Sequence, residues 1–479
     1  MESLEWVRAE ERTVMTSVHL TEGRPLAVIL RFTLPLFLGN MFMQLYNLVD
    51  TVIVGRFLGE NALAAVGSTG TIIFLVQGLA TGLTTGFTVL TAQHFGAMDP
   101  KGTRRSASNA LMLSFGVILI LTFFSTLFMH RILRIMNTPA EIYDDAYRYI
   151  IVICAGLFSI VLYTLGSSLL TAVGNSRLPL VFLMIGAGCN IALDLLFIPG
   201  LGMGTEGAAY ATVISQVIAA LVAAVYIGRK MPDLRPYRDF WRLDRGMAIR
   251  QIRVGIPMAL QFGITASGTM VLQTAVNTFG PTAVAAFTAA SKMSTLLTQG
   301  FAALGQSMAA YGGQNYGAAR PDRIRSGVRA AMQIDVAYAA LISILILLLL
   351  HPLMRLFFPA GTDTGKLMEF ARPYIYFSMS CYIPLGMIFI FRNIMQGCGY
   401  GFLPMMGGVV ELVARVIPAA VSMRLGSYLL AAACDASAWL TAGLFTAFAY
   451  HFYVIGRIEQ RIRRGRARMD ASPPAPKKE

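Results

Sequence analysis

Apolar runs of about 20 residues recur along the chain, each long enough to cross the hydrocarbon core of a bilayer as an α-helix. Short polar connections rich in Gly, Pro, Asp and Arg separate them, as in GAMDPKGTRR (96–105) and VGNSRLP (173–179). The pattern predicts an all-α polytopic membrane protein with twelve transmembrane spans. Their centres lie near residues 40, 77, 118, 158, 188, 217, 264, 298, 342, 384, 413 and 443.

The spans fall into two related halves. The longest connection, 228–253, divides them six and six. FTLPLFLGN (32–40) aligns with VGIPMALQF (254–262), which places Pro35 over Pro257, and AQHFGAMDP aligns with GQNYGAARP. Since each half has six spans, both halves run in the same direction. They are parallel repeats, a plan that is typical of secondary transporters and that supplies two moving lobes with a cleft between them.

Charge sets the orientation of the predicted spans. Hydrophobic residues make up 56% of the chain and charged residues only 13%, against about 25% in a soluble domain. Of the 39 Lys and Arg residues, 28 lie on the side that holds both termini and 6 in the opposite connections. The positive-inside rule therefore predicts a multi-pass protein of the inner or plasma membrane with both termini in the cytoplasm. The net charge of +14 is a topology signal, and we expect no nucleic-acid partner.

These patterns predict five regions. They are a cytoplasmic N-terminal segment (1–24), an N-lobe of six spans (25–228), a cytoplasmic inter-lobe linker (229–249), a C-lobe of six spans (250–457), and a basic cytoplasmic tail (458–479) whose composition predicts disorder near anionic headgroups.

The sequence offers no motif for enzymatic chemistry. It contains no GxxxxGK[ST] loop, HExxH, paired CxxC or nucleophile elbow. The five cysteines are scattered, without disulfide or metal-ligand spacing, and the N-terminus has no signal-peptide core. We expect a transporter that is not an enzyme, has no cofactor and draws its energy from an ion gradient.

Polar residues within the apolar spans are candidates for function because burying them is costly. Asn190 and Asp194 lie four residues apart in span 5, on one helical face. Asp194 is roughly 25 Å above the cytoplasmic start of that span. Asp50, late in span 1, and Thr212, near the outer start of span 6, lie at a comparable depth. These oxygens suit Na⁺ or a proton. Alternatively, Asn190 bonds a neighbouring helix and Asp50 is solvated near the interface.

The other ionisable residues lie in the C-half. Glu411 and Arg415 are four residues apart in span 11, which predicts a self-neutralised structural pair. Asp335, early in span 9, is expected to be solvated near the cytoplasmic end. Lys292 in span 8 and Arg392 in span 10 have no evident partner in the sequence, and each either lines a watered cleft or extends to the interface.

From about residue 25 to residue 457 the chain resembles the MATE (multidrug and toxic compound extrusion) transporters. The resemblance rests on the two parallel halves, on LP followed by YNLVDTVIVGRFLGENALAAVG in and after span 1, on VGNSRLP, and on NIALDLLFIPGLGMGTEGAAYATVISQ across spans 5 and 6. It implies two six-helix lobes in a V and drug efflux coupled to entry of H⁺ or Na⁺.

The DinF-like branch of that family has an N-lobe cation site, and the positions that match it here are Asp50, Asn190, Asp194 and Thr212. Pro35 matches a bend in the first helix that is proposed to respond to protonation. A NorM-like branch carries acidic residues on helices 7 and 10. In this chain GIPMALQFGITASGTMVLQ of span 7 and YFSMSCYIPLGMIFIFRN of span 10 hold no carboxylate, which favours the N-lobe as the coupling site.

We therefore expect a cation-coupled (H⁺ and/or Na⁺) multidrug or organic-cation efflux antiporter that works by alternating access. Its partners would be membrane lipid and small, amphipathic, cationic substrates, and the protein would be a monomer. The predicted substrate cleft consists of Met43, Tyr46, Asn47, Gln77, Gln216 and Lys292.

Two alternatives come from other functional classes. A lipid-linked oligosaccharide flippase of the wider superfamily would use Lys292, Arg392 and Arg415 to bind an anionic pyrophosphate. A non-transporting scaffold or receptor has little support, because the chain has no soluble signalling domain and its repeats indicate two moving bodies.

Overall fold

The computed structural model describes residues 19–136, 138–235, 242–357 and 364–470. Within these ranges the helices, numbered in chain order, are α1 Pro25–Leu58, α2 Glu60–Gly96, α3 Pro100–Ile135, α4 Ala140–Ala155 with Leu157–Ala172, α5 Arg177–Leu195, α6 Thr205–Lys230, α7 Arg245–Asn277, α8 Pro281–Gly317, α9 Pro321–Phe357, α10 Thr364–Ser380 with Tyr382–Gly397, α11 Phe402–Leu425, α12 Cys434–Phe448 and α13 Ile455–Asp470.

Helices α1–α12 correspond to the twelve predicted spans. Among the described residues, eight of these helices are long and apolar enough to cross a membrane by themselves, and so is the continuous stretch Tyr428–Arg464, which contains α12. Helices α4 and α10 qualify as bent pairs. The remaining predicted span corresponds to α8, which has 37 residues and many Ala, Gly, Ser and Gln side chains. That composition lowers its mean hydropathy, which suits a helix that packs mainly against protein. The predicted number of spans is confirmed.

Breaks in the helices position the polar groups. Helix α4 bends by 47° and α10 by 49° at single-residue interruptions. Pro35 and Pro257 lie inside α1 and α7, where proline removes one backbone hydrogen bond. After α5 the chain continues into a π-helical turn, Leu196–Gly200, which contains Pro199. Such a turn re-aims the helix end beside it.

Helix α1 contributes to two hydrophobic cores. Ile29 and Phe32 pack in a cluster whose other members include Leu304 of α8, on the C-lobe side. Ile53 and Val54, at the other end of α1, pack in an N-lobe cluster. Pro35 lies between these two parts, so α1 connects the N-lobe core with the C-lobe.

The two lobes touch at the end of the bundle that carries the termini. Gly82 of α2 lies so close to α7 that an added Cβ would be 2.6 Å from the Cα and N atoms of Ala259. Small residues permit such close backbone approach. The hydrogen bonds found between the lobes lie in this half of the bundle, as in Gln93 Nε2 to Gly397 O (2.9 Å) and Gln251 Nε2 to Phe87 O (2.9 Å). The structure is therefore closed on the side of the termini.

The end of the N-terminal segment crosses this closed side. Leu20 is completely buried, and its backbone N–H donates to Gln314 Oε1 at 2.9 Å. The Arg323 guanidinium donates to the carbonyls of Leu20, Glu22 and Gly23 at 2.9–3.3 Å. Gln314 in turn donates to Ala172 O of the N-lobe at 2.9 Å. Residues 1–18 of the predicted cytoplasmic segment lie outside the described residues.

Two predicted region boundaries differ from the structure. Helix α6 extends to Lys230 and α7 begins at Arg245, so the linker is shorter at both ends than 229–249; its residues 236–241 lie outside the description. The tail predicted to be disordered from 458 is helical as far as Asp470. Ile458 and Ile462 of α13 are buried while its arginines give it a basic face, and this amphipathic packing accounts for the helix. Residues 471–479 lie outside the described chain.

Candidate functional site

Three helices bring the predicted cation-site residues together in the N-lobe. Asp50 lies near the end of α1, away from the termini, and Asn190 and Asp194 lie in the last two turns of α5, just before the π-helical turn. Thr212 lies about two turns into α6, which enters from the same side. Asn190 and Asp194 are fully buried.

The polar groups of this site contact one another directly. The carboxyls of Asp50 and Asp194 are within hydrogen-bonding distance. With its amide nitrogen turned toward Asp194, Asn190 donates to Asp194 Oδ2 at 2.9 Å and accepts from the backbone N–H of Thr212 at 3.2 Å. The Tyr46 hydroxyl lies beside the Thr212 side chain. The geometry therefore joins all four predicted residues, and it adds Tyr46, which the sequence had assigned to the substrate cleft.

A pair of touching carboxyls requires a positive counterpart, because two negative charges at that separation repel strongly in a buried site. Asp50 Oδ1 and Asp194 Oδ1 are buried and have no hydrogen-bond partner among the described residues, so each has a lone pair for a cation. Among the residues that the structure describes, no group of three His, Cys, Asp or Glu residues could hold a metal ion. Two carboxylates with neutral oxygens beside them fit Na⁺ or a shared proton.

Tyr149 is a member of the site that the sequence did not indicate. It lies on the first part of α4, is 6% exposed, and interacts electrostatically with Asp50, Asp194 and Tyr46. Its position depends on how α4 is rotated against α1, and the surrounding YDDAYRYII pattern carries no signal for that rotation. Tyr149 therefore faces the site from α4.

The other predicted cleft residues are less closely grouped. Met43, Asn47 and Lys292 are exposed, whereas Gln77 and Gln216 are half-buried. Gln216 lies one turn beyond Thr212, and its buried Oε1 has no hydrogen-bond partner among the described residues. Asn47, three residues before Asp50, and Gln216, four residues after Thr212, are therefore the two closest in sequence to the cation site.

A second buried charged cluster lies in the C-lobe. Arg415 Nη2 is 3.0 Å from Glu411 Oε1, as the predicted pair requires, and Arg415 Nε is 2.9 Å from Asp435 Oδ1. Tyr374 donates to Asp435 Oδ2 at 3.2 Å. Asp435 was not among the residues predicted from the sequence, although a carboxylate beside the apolar span 12 was a usable signal. Arg415 is neutralised by two carboxylates and is not free to bind an anionic substrate.

Two other C-lobe residues differ in their surroundings. When the Gln261 amide oxygen faces Arg392, the guanidinium donates to it from Nη1 and Nε at 2.8 and 3.0 Å. The guanidinium also lies 5.0 Å from the centre of the Phe389 ring.

Asp335 is fully buried, so the expectation that it is solvated is wrong. The sequence placed it near the start of a span, whereas α9 has fourteen residues before it and neighbouring helices enclose it.

We predict that Arg415→Leu destabilises the protein by about 3–5 kcal/mol, because Glu411 and Asp435 would be left as unpaired buried charges. The melting temperature of the purified protein in detergent, followed by intrinsic fluorescence, measures the effect. The triple variant Arg415→Leu, Glu411→Leu, Asp435→Asn is the control and should recover most of the loss. Equal melting temperatures for wild type and Arg415→Leu would contradict the structural role of this cluster.

Two six-helix lobes that are closed at one end, with a carboxyl pair buried in one lobe, are the architecture of a two-lobed membrane transporter. The chain matches the MatE family model over residues 35–196 and 257–421, more than half of its length. It belongs to that family, which confirms the resemblance to the MATE multidrug-efflux transporters.

Individual relatives agree with this assignment. Over 333 residues the chain is 26% identical to "Probable multidrug resistance protein YoeA" of Bacillus subtilis, covering 68% of this chain and 72% of that protein. Over 408 residues it is 25% identical to the "FAD transporter" of Shewanella oneidensis, covering 84% and 88%. The fold matches "Crystal structure of MATE in complex with MaL6" with a TM-score of 0.85 at 23% identity, over 93% of this chain and 99% of that one. The predicted twelve-helix, V-shaped, two-lobed fold is thereby confirmed.

Proposed function

We propose that this transporter is a cation-coupled (H⁺ and/or Na⁺) multidrug or organic-cation efflux antiporter that works by alternating access. The observation that carries the proposal is the contact between Asp50 of α1 and Asp194 of α5, with one unpartnered buried oxygen on each. A site of this kind favours binding of one positive charge, which is what a coupling ion supplies.

The orientation gives this site its direction of exchange. We place both termini in the cytoplasm of a cell whose inner or plasma membrane holds the protein as a monomer, following the distribution of Lys and Arg. The conformation described here is then closed to the cytoplasm, and the carboxyl pair lies in the outer half. An ion from outside reaches Asp50 and Asp194, and it leaves to the cytoplasm after the closed end has opened.

Binding of the ion acts on substrate through α1. Neutralising Asp50 removes its repulsion from Asp194. The outer part of α1, which carries Asp50, can then shift relative to the part before Pro35, which packs with the C-lobe core. Tyr46 shares α1 with Asp50 and lies beside Thr212, so the same shift alters the wall of the cleft. Substrate and ion are thus bound alternately, which is the requirement for antiport.

Small amphipathic cations fit the N-lobe side of the cleft, where the carboxyl pair is the source of negative charge. The flippase alternative is weakened because Arg415, one of its three cationic residues, is held by Glu411 and Asp435. A relative is a FAD transporter, so an anionic substrate is the alternative that an experiment should include.

The test is efflux from proteoliposomes that contain the purified protein, under an imposed pH gradient and then an imposed Na⁺ gradient. A fluorescent cationic dye and FAD are loaded in parallel. We expect movement of the dye driven by one of the two gradients. Movement of FAD alone would overturn the assignment of cationic substrates, and movement of either compound without any response to H⁺ or Na⁺ gradients would overturn cation coupling.

A further inference from the structure

Asp335 of α9 is a buried carboxyl that the N-lobe site does not use. Its side chain has no exposed surface, and neither oxygen has a hydrogen-bond partner among the described residues. The carboxyl occupies the space that Gly386 of α10 leaves free, since a Cβ at Gly386 would overlap Asp335 Oδ1. At roughly 21 Å from the start of α9 at Pro321, the group lies well inside the helix and not at its end.

Among the described residues, no side chain forms an ion pair or a hydrogen bond with this carboxyl. The titratable groups on its own helix and on the helices packed against α9 each have other surroundings. Tyr338 donates to Leu297 O at 2.7 Å, Tyr382 is 3.4 Å from Ser294 Oγ, and Arg392 bonds Gln261. Glu459 of α13 pairs with Arg325 at 2.6 Å, while Lys292 of α8 and Arg31 of α1 are exposed.

An ionised carboxylate in such a place would cost several kcal/mol, because it would have neither a hydrogen-bond donor nor a cation to replace water. The neutral acid avoids most of that cost. Asp335 therefore carries a proton in the conformation described here.

Near Asp335, α9 packs against α1, and this packing is part of the contact between the lobes. One turn beyond Asp335, the Tyr338 ring packs edge-on against Phe37 of α1, 6.1 Å between centres. Phe37 lies two residues beyond Pro35. Nearby, Thr33 Oγ1 of α1 donates to Ser307 Oγ of α8 at 2.8 Å. If the closed end opens as proposed above, α1 would separate from α8 and α9, and water would reach α9 on the side of Tyr338, one turn from Asp335.

We propose that Asp335 is a second proton-binding site, in the C-lobe, which is occupied while the side of the termini is closed and releases its proton into water when that side opens. The carboxylic O–H bond breaks, the proton passes to water, and the hydrated carboxylate stays on α9. The proposal rests on the alternating access proposed above but not on the N-lobe carboxyl pair. Since release requires the open form, a higher pH on that side favours opening.

The experiment removes the N-lobe titration first, with Asp50→Asn and Asp194→Asn as the background. Spin labels at Lys101 and Arg329, exposed residues of the two lobes on the closed side, are introduced after the five cysteines are replaced by alanine. Double electron–electron resonance then measures the open population as pH rises. We expect opening to increase with pH, and Asp335→Asn, which imitates the neutral acid, to reduce the open population at high pH by about 5- to 150-fold, the usual range for coupled sites.

Asp322→Asn is the matched control, since it removes an exposed carboxylate from the same helix and should leave the pH response unchanged. Infrared difference spectra give an independent readout in wild type and in Asp335→Asn alone: the band of a protonated carboxyl should be lost in the variant and should fade as the lobes open. A band that stays at every pH, or the absence of any band that Asp335→Asn removes, would overturn the proposal. Because the background lacks both carboxylates of the N-lobe pair, failure here is distinct from failure of N-lobe coupling.

Discussion

Asp194→Asn is expected to reduce gradient-driven efflux on the order of 100-fold, the upper range of a coupling between two binding sites. The asparagine keeps the volume of the side chain but cannot be ionised, so the site stays in the state that a bound proton produces. Asp50 alone then faces neutral neighbours and no longer requires a shared positive charge. The measurement is initial efflux rate from proteoliposomes under the gradient that drives the wild type.

The variant should nevertheless fold, because it removes the repulsion between two buried carboxyls and keeps a group that can bond Asn190. A melting temperature at or above that of the wild type, with normal insertion, would show that the loss concerns coupling. Asp144→Asn, an exposed carboxylate at the start of α4, is the matched control and should transport normally. Wild-type efflux by Asp194→Asn would exclude this carboxyl pair as the site of coupling.

The sequence could predict which residues form this site because their depth in the membrane follows from their positions along the helices. The rise of a helix converts residue numbers into height, and the alternating direction of the spans then placed Asp50, Asp194 and Thr212 at one level. The spacing of Asn190 and Asp194 gave a common face. Direct contact between these residues is what the structure adds, since height does not say which helices are neighbours.

The residues that sequence reasoning missed or misplaced depend on helix rotation and packing. Tyr149 and Asp435 join their clusters because α4 and α12 turn one face toward a particular neighbour, and apolar residues surround every face of these spans. Asp335 was expected to be solvated because the sequence placed it near the start of span 9, whereas the helix begins fourteen residues earlier. Since α9 begins at Pro321, Asp335 lies about four turns into the helix, where neighbouring helices bury it. Its contact with Gly386 joins positions 51 residues apart and has no signal in the sequence.

The closure between the lobes leads to the second large effect. Gly82→Ala is expected to prevent the closed side from forming, because the new Cβ would lie 2.6–2.8 Å from backbone atoms of Met258 and Ala259. Backbone atoms of a helix cannot turn aside as a side chain can, so α2 and α7 must separate. Overpacking of this kind costs about 1–3 kcal/mol, which lowers the closed population roughly 5- to 150-fold.

Gly70→Ala provides the control for this change. Gly70 lies on the same helix with nothing within 4 Å of an added Cβ, and it gains the same helix propensity from alanine. We expect Gly82→Ala to lose transport and to lengthen the distance between spin labels at Lys101 and Arg329, while Gly70→Ala changes neither. Each lobe keeps its own core in both variants, so melting temperatures should stay close to wild type. If Gly82→Ala transported like Gly70→Ala, the tight contact of α2 with α7 would not be part of the transport cycle, and closure would have to depend on the hydrogen bonds of Gln93, Gln251 and Gln314 instead.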